Sequence, residues 1–133
     1  MESEHSNRWV WAGRVLSGLA VAFLLFDGAI KLMRIAPVAE SFGRLGYPPE
    51  SAVGIGVVEL GCLAAYLFRP VSIPGAVLLT GFLGGAVASH VRIGDPLLSH
   101  VLFPTYVGAL LWTGLFLRDS RLRTLLSRKG VPQ

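Results

Sequence analysis

Four long apolar stretches separated by short polar breaks make up most of this chain. The first runs from about Trp9 to Met33, the second from about Ser51 to Phe68, the third from about Ile73 to Val91 and the fourth from about Leu97 to Leu117. At a helical rise of about 1.5 Å per residue, each approaches or exceeds the roughly 30 Å of a bilayer's hydrocarbon core. None alternates apolar and polar residues with a period of two, so the pattern predicts helices and not a closed barrel. Prolines mark the breaks. Pro48-Pro49 precedes the second stretch and Arg69-Pro70 follows it. Ser72 is a candidate N-cap for the third, with Pro74 in its first turn, where a missing N–H costs little. Asp95-Pro96 resembles a cap followed by proline at the first helical position. Pro104 then leaves two readings: a kink inside the fourth helix, or a short interfacial helix over Leu97–Leu102 with the span proper starting near Phe103.

Between the first two stretches Ile35, Val38, Phe42 and Leu45 recur at helical spacing. Pro37 is placed to start this turn and Gly43 or Gly46 to end it. The expected fold is therefore all-α: an integral membrane four-helix bundle with a short interfacial helix between helices 1 and 2. Its expected parts are a cytoplasmic leader at 1–8, the transmembrane domain at 9–117 and a basic cytoplasmic tail at 118–133. The short connection Arg69–Val71 makes the second and third helices antiparallel neighbours. Gly81, Gly85 and Ser89 on the third stretch, and Gly13 and Ser17 on the first, form small-residue stripes of the kind that pack helices within one chain.

Composition agrees. Of 133 residues, 53% are hydrophobic and 15% charged, too apolar for a domain folded in water. The net charge of +4 would suggest nucleic acid only if the basic residues formed one face. They gather at segment ends instead, so the lipid bilayer is the expected partner and nucleic acid is not. Four spans put both termini on one side. That side carries eight basic residues (Arg8, Arg14, Arg69, Arg118, Arg121, Arg123, Arg128 and Lys129) against four on the other (Lys31, Arg34, Arg44 and Arg92), which predicts cytoplasmic termini. The tail Arg118–Lys129 is expected to be solvated. Ala20-Val21-Ala22 resembles a signal-peptide cleavage site, but the apolar run continues through Phe26 and the leader carries Glu2 and Glu4; a retained anchor is expected. Cys62 is the only cysteine. That excludes an intramolecular disulfide or dithiol relay and points to a small packing residue.

The candidate chemistry lies in the charged groups within the apolar stretches, where an ionised side chain costs about 2.5–3.5 kcal/mol. Asp27 lies about 9 Å inside the exit of the first stretch and Glu59 roughly 10 Å inside the start of the second. His90 lies at the exit of the third, at the same membrane face, and Arg92, Asp95 and His100 follow in the next connection. Asp27 and Lys31, four residues apart, share a helix face and can pair. Glu59 has no opposite charge near it on its own helix, so its partner must come from another segment, with Lys31 and His90 the candidates. Cys62 and Tyr66 continue its face into the bundle. A polar pocket of Asp27, Lys31, Glu59, His90, Arg92, Asp95 and His100 is therefore expected near the face opposite the termini. Local metal-ligand spacing is missing, so no metal is expected.

Several of these residues also carry a family resemblance. Gly13-Arg14, Phe26-Asp27-Gly28 through Lys31-Leu32, and Leu45-Gly46-Tyr47-Pro48 are similar to the DoxX-like membrane proteins. So are Gly56 through Glu59, Gly84 through Ala88 followed by His90-Val91-Arg92, and Gly94-Asp95-Pro96 with His100 to Pro104. The resemblance runs from about Trp11 to Leu122. It implies a four-helix protein of the bacterial inner membrane, in a family named for a subunit of a thiosulfate:quinone oxidoreductase. It also implies kinship with components of oxidative-stress complexes and, distantly, with an animal receptor-assembly chaperone. It brings no catalytic residues, and the single cysteine separates this chain from quinone-linked dithiol enzymes of similar shape.

Two roles follow as expectations. One is a ligand-binding or redox-accessory subunit whose pocket accepts a quinone-like or other amphipathic molecule, with no firmly bound cofactor. The other is a non-enzymatic scaffold or assembly factor, working with a membrane-protein partner or a second copy, in which the polar cluster locks the bundle. A proton-coupled transporter is disfavoured by the few short spans. An accessory or binding role fits better than a self-sufficient enzyme.

Overall fold

The computed structural model describes residues 2–127. Every regular element among them is helical: α1 (Glu2–Leu32), α2 (Ala36–Leu45), α3 (Ser51–Leu67), α4 (Ser72–Arg92), α5 (Phe103–Arg118) and α6 (Ser120–Ser127), with a 3₁₀ turn at Arg69–Val71 and a π-type turn at Leu97–Val101. Three stretches among the described residues, Ser3–Leu32, Arg69–Arg92 and Leu97–Arg118, are long and apolar enough to cross a membrane. The protein is a membrane helical bundle. α1 packs against α5 and α3, α3 against α4, and α4 against α5, closing a ring. Leu24, Leu63, Tyr66, Leu79, Leu111 and Leu115 fill its centre, while Trp9, Trp11, Leu19, Phe26, Val57, Leu78 and Phe116 face outward. That inversion of the water-soluble pattern suits a lipid surround.

Glycines set how closely the helices cross. A Cβ on Gly13 would lie 2.8 Å from the Gly114 carbonyl and from Leu117 Cβ, and one on Gly56 would lie 2.9 Å from Lys31 Cβ and 3.1 Å from the Gly28 carbonyl. Only hydrogen fits there. The first stripe, Gly13 and Ser17, thus packs α1 on α5. The second does not pack a helix: a Cβ on Gly81 or Gly85 would meet nothing within 4 Å.

Local chemistry departs from the sequence pattern in several places. The first helix begins at Glu2, so the residues before Trp9 extend α1 as further turns. Ser72 is inside α4, not its cap; its hydroxyl donates to the Phe68 carbonyl at 3.2 Å because the preceding 3₁₀ turn carries the chain straight into the helix. Asp95 caps no helix, since its carboxylate is bonded to His90 and Arg44. The fourth apolar stretch is broken: Val101 and Leu102 bond back to Pro96 and Leu97 across five residues, and α5 starts at Phe103 with Pro104 in its first turn. Pro104 therefore kinks nothing.

Nor is the tail simply solvated. Leu122 of α6 is buried, and Arg121 donates to the carbonyls of Arg69 and Pro70. Arg123 donates to those of Phe116 and Leu117, covering the free end of α5. Arg121 holds the Asp119 carboxyl below the usual carboxylate range, and Asp119 holds the guanidinium above its own. Arg128, Lys129 and the rest of the expected tail lie outside the described residues.

Candidate functional site

Two turns position the site. At the end of α2, Gly46 adopts φ 81°, and the amides of Gly46 and Tyr47 bond back to the carbonyls of Gly43 and Phe42. This is a Schellman closure, which glycine accommodates without strain. The same motif ends α4. Gly94 has φ 71°, its amide bonds to Val91 and that of Asp95 to the His90 carbonyl at 3.1 Å. That closure folds Asp95 back over the last turn of α4, where Oδ2 accepts from His90 Nδ1 at 2.5 Å. Oδ1 accepts from Arg44 of α2 at 2.7 Å. His90, and then Arg44, keep the Asp95 carboxyl below its ordinary range. The bond to Nδ1 fixes the tautomer and leaves Nε2 as the ring's other polar atom.

Deeper in, the close Gly28–Gly56 crossing brings α1 and α3 into register for an ion triad. Lys31 Nζ donates to Asp27 Oδ2 at 2.5 Å and to Glu59 Oε2 at 2.7 Å. The Lys31 side chain is 13% exposed, that of Asp27 31% and that of Glu59 0%. Glu59 Oε1 is buried with no hydrogen-bond partner. A buried carboxylate oxygen normally has one, so this atom is the point of the triad where chemistry is left open.

A cavity of about 460 Å³ adjoins the triad. Asp27, Lys31, Glu59 and His90 line it together with Phe23, Phe82 and Phe103, and α2 covers one side through Ser41, Phe42 and Leu45. Gly81, Gly85, Ala86 and Ser89 form its α4 wall. Their small side chains leave the space that a helix-packing stripe would have closed. Phe23 and Phe103 meet edge to face at 5.0 Å, and the Lys31 ammonium lies 5.3 Å from the Phe82 ring centre. α2 and the turn after it are tied across the cavity's edge by Arg44–Asp95, by the Tyr47–Ser89 hydroxyl bond at 2.8 Å and by Arg92. Arg92 donates to the Leu45 carbonyl and sits 5.6 Å from the Tyr47 ring centre.

Of the seven residues singled out from sequence, four therefore line the cavity and three do not. Asp95 stands behind His90. Arg92 fastens the α2 end. His100 approaches His90 edge-on at 6.0 Å and bonds Ser99 Oγ at 2.8 Å. Among the described residues no group of three or more His, Cys, Asp or Glu side chains converges as metal ligands would. Sequence reasoning missed the phenylalanine walls, Tyr47 and the open face of Gly81 and Gly85, because apolar side chains on apolar helices carry no signal of which neighbour they face. It also missed the network at the opposite end. There Ser17 Oγ donates to Tyr66 OH at 2.9 Å, Tyr66 OH donates to the Leu111 carbonyl at 2.8 Å, and Arg118 Nε donates to Ser17 Oγ at 3.1 Å.

A family model, that of the DoxX-like family, matches residues 15–114. The match covers most of the chain and all three members of the triad. The chain belongs to the DoxX-like family. Within this DoxX-like protein the match also takes in α2, the His90–Asp95 turn and the whole cavity wall. No curated protein and no solved structure matches the chain.

Proposed function

We propose that this DoxX-like membrane protein is a ligand-binding or redox-accessory subunit that takes an amphipathic molecule, quinone-like or otherwise, into the cavity beside the Asp27–Lys31–Glu59 triad. In this reading α1, α3, α4 and α5 all span. α5 and α3 are the shortest, their 16 and 17 residues covering about 24 and 26 Å against a core of about 30 Å. α2 lies at the interface and covers the cavity from the extracytoplasmic side. The excess of basic residues at the opposite end argues for cytoplasmic termini, and the family for a bacterial inner membrane.

The observation that carries the proposal is the unpartnered Oε1 of Glu59 within a triad that lines an apolar, aromatic cavity. Ligand sites combine such a wall with a few converging polar groups. A scaffold needs the ion triad only as a lock, and a lock is complete without an open oxygen. Filling the space decides between the two. A Gly85→Leu side chain would project where no neighbouring atom lies within 4 Å of its Cβ, so the fold should survive. Binding of a short-tailed benzoquinone to the protein in nanodiscs, followed by tryptophan quenching, should weaken at least tenfold in the variant with the melting temperature kept within about 3 °C. Equal binding by wild type and variant would place the ligand elsewhere, and a failure of both to bind any amphipathic probe would leave the scaffold role.

A further inference from the structure

The charges around the cavity do not balance. Lining the cavity with Glu59 are, from α1, Asp27 and Lys31; from α4, His90, whose Nδ1 is engaged by Asp95; from α5, Phe103, Pro104 and Val107; and from α2, Ser41, Phe42 and Leu45. On α3 itself the next titratable groups on that face are Cys62 and Tyr66. Arg44 is committed to Asp95 at 2.7 Å, and Arg92 to the Leu45 carbonyl and the Tyr47 ring. Two carboxylates thus share one ammonium, and Oε1 of the fully buried carboxylate has no partner. An uncompensated ionised carboxylate is costly away from water. The triad is neutral only if it carries a proton or a second cation.

The walls favour the cation. Phe23, Phe82 and Phe103 surround the space, and aromatic faces attract positive charge, most strongly when it is desolvated. We propose that the cavity binds an amphipathic organic cation, with an ammonium- or phosphonium-type head and an apolar body, whose charge replaces a proton on the Asp27–Glu59 pair. This rests on the ligand-pocket reading above and specifies the ligand's class. The head lies beside the Asp27–Lys31–Glu59 triad, the body lies against the phenylalanines, and the volume of about 460 Å³ falls within the usual range for small-molecule sites. Because cation and proton compete for one carboxylate pair, binding releases up to one proton and tightens as pH rises. The limit is about tenfold per pH unit while the pair is protonated.

The test uses the full chain in nanodiscs, with empty nanodiscs subtracted for partitioning. Three probes of similar body are titrated calorimetrically in two buffers of different ionisation enthalpy: tetraphenylphosphonium, neutral triphenylphosphine oxide and anionic tetraphenylborate. The cation should bind with proton release, the other two at least tenfold more weakly. Glu59→Gln should abolish the proton release and weaken the cation at least tenfold, and Gly85→Leu should remove binding with Glu59 intact. If the neutral probe or a short-tailed benzoquinone binds as tightly as the cation, is excluded by Gly85→Leu and releases no proton, the cation inference is overturned and the pocket reading stands. If no probe binds wild type, both fall. Should Glu59→Gln not fold, the proton count on wild type decides alone, and a count of zero overturns the proposal.

Discussion

Replacing Lys31 by methionine removes the cation that two carboxylates share and keeps the length of the side chain. Losing one partner of a buried ion pair costs about 3–5 kcal/mol, most of it from the charge left behind. Here the cost divides unequally. Glu59 is fully buried and meets Lys31 across two helices at 2.7 Å, whereas Asp27 is 31% exposed and sits one turn away on the same helix. An i,i+4 pair on an exposed helix contributes about 0.3–0.5 kcal/mol, and Asp27 is only somewhat better shielded than that. Neutralising the true creditor of the lost charge should therefore restore most of the stability. Lys31→Met should destabilise by about 3 kcal/mol, and adding Glu59→Gln should return about 2 kcal/mol of it, a factor of about 30 in the folding equilibrium. Adding Asp27→Asn should return less than about 1 kcal/mol. The assay is reversible unfolding in mixed micelles over a denaturing-detergent series, run as a double-mutant cycle for each pair. A larger rescue by Asp27→Asn than by Glu59→Gln, or strict additivity in both cycles, would refute the assignment of Glu59 as the principal partner.

Two further outcomes are expected. With Cys62 replaced by serine, single cysteines at the exposed positions Glu40 and Ser127 should react with impermeant thiol reagents from opposite sides in oriented vesicles, Glu40 from the extracytoplasmic side; labelling of both from one side would refute the four-span topology. Asp95 has its carboxyl held low by His90 and Arg44, so the stability it gives the α2 closure is fully present above the ordinary aspartate range and is lost as pH falls through the lowered folded-state value. Hydrogen exchange in α2 should therefore be flat from neutral pH down to about pH 4 once corrected for intrinsic rates, then rise below it, and Asp95→Asn should exchange faster already at pH 7.

The fold was legible wherever apolar runs met proline and glycine. α2 was marked by Pro37 and by Gly43 or Gly46, of which Gly46 ends it, and the α3–α4 hairpin by the brevity of Arg69–Val71. The Asp27–Lys31 pair followed from helical spacing, while depth and charge narrowed the partner of Glu59 only to Lys31 or His90, and the structure has Lys31. What failed were features that depend on which neighbour a residue faces. Ser72 reads as a cap, but the cap signal is local and a preceding 3₁₀ turn overrode it. Asp95 reads the same way, yet its side chain found stronger partners in His90 and Arg44 than a free amide. Gly81 and Gly85 read as a packing stripe identical in kind to Gly13 and Ser17. Nothing in the residue types distinguishes a stripe that admits a helix from one that leaves a space, because that depends on the side chains opposite, and here Phe23 and Phe103, packed on each other, line the same space as Gly81 and Gly85.

The bundle uses small residues in two opposite ways, with Gly28 and Gly56 packed closely even beside the triad and Gly81 and Gly85 left open, and the contrast bears on function. At the terminal end Gly13, Gly114 and Gly75 admit neighbouring backbone to contact, and the Ser17–Tyr66–Arg118 polar groups bond one another. At the other end the glycines of α4 face open space and Glu59 Oε1 faces no partner. A space of about 460 Å³ left unfilled beside the triad forgoes packing contacts that a core of native density would make. A side chain at Gly85 would enter that space with nothing within 4 Å of its Cβ. A cavity that simple substitution could fill, beside a carboxylate that a glutamine could neutralise, is a departure from the stability optimum of the kind found at functional sites. The tight crossings supply the rigid frame, and under the proposed reading the space beside the triad is where an occupant would contribute the missing contacts and the missing charge.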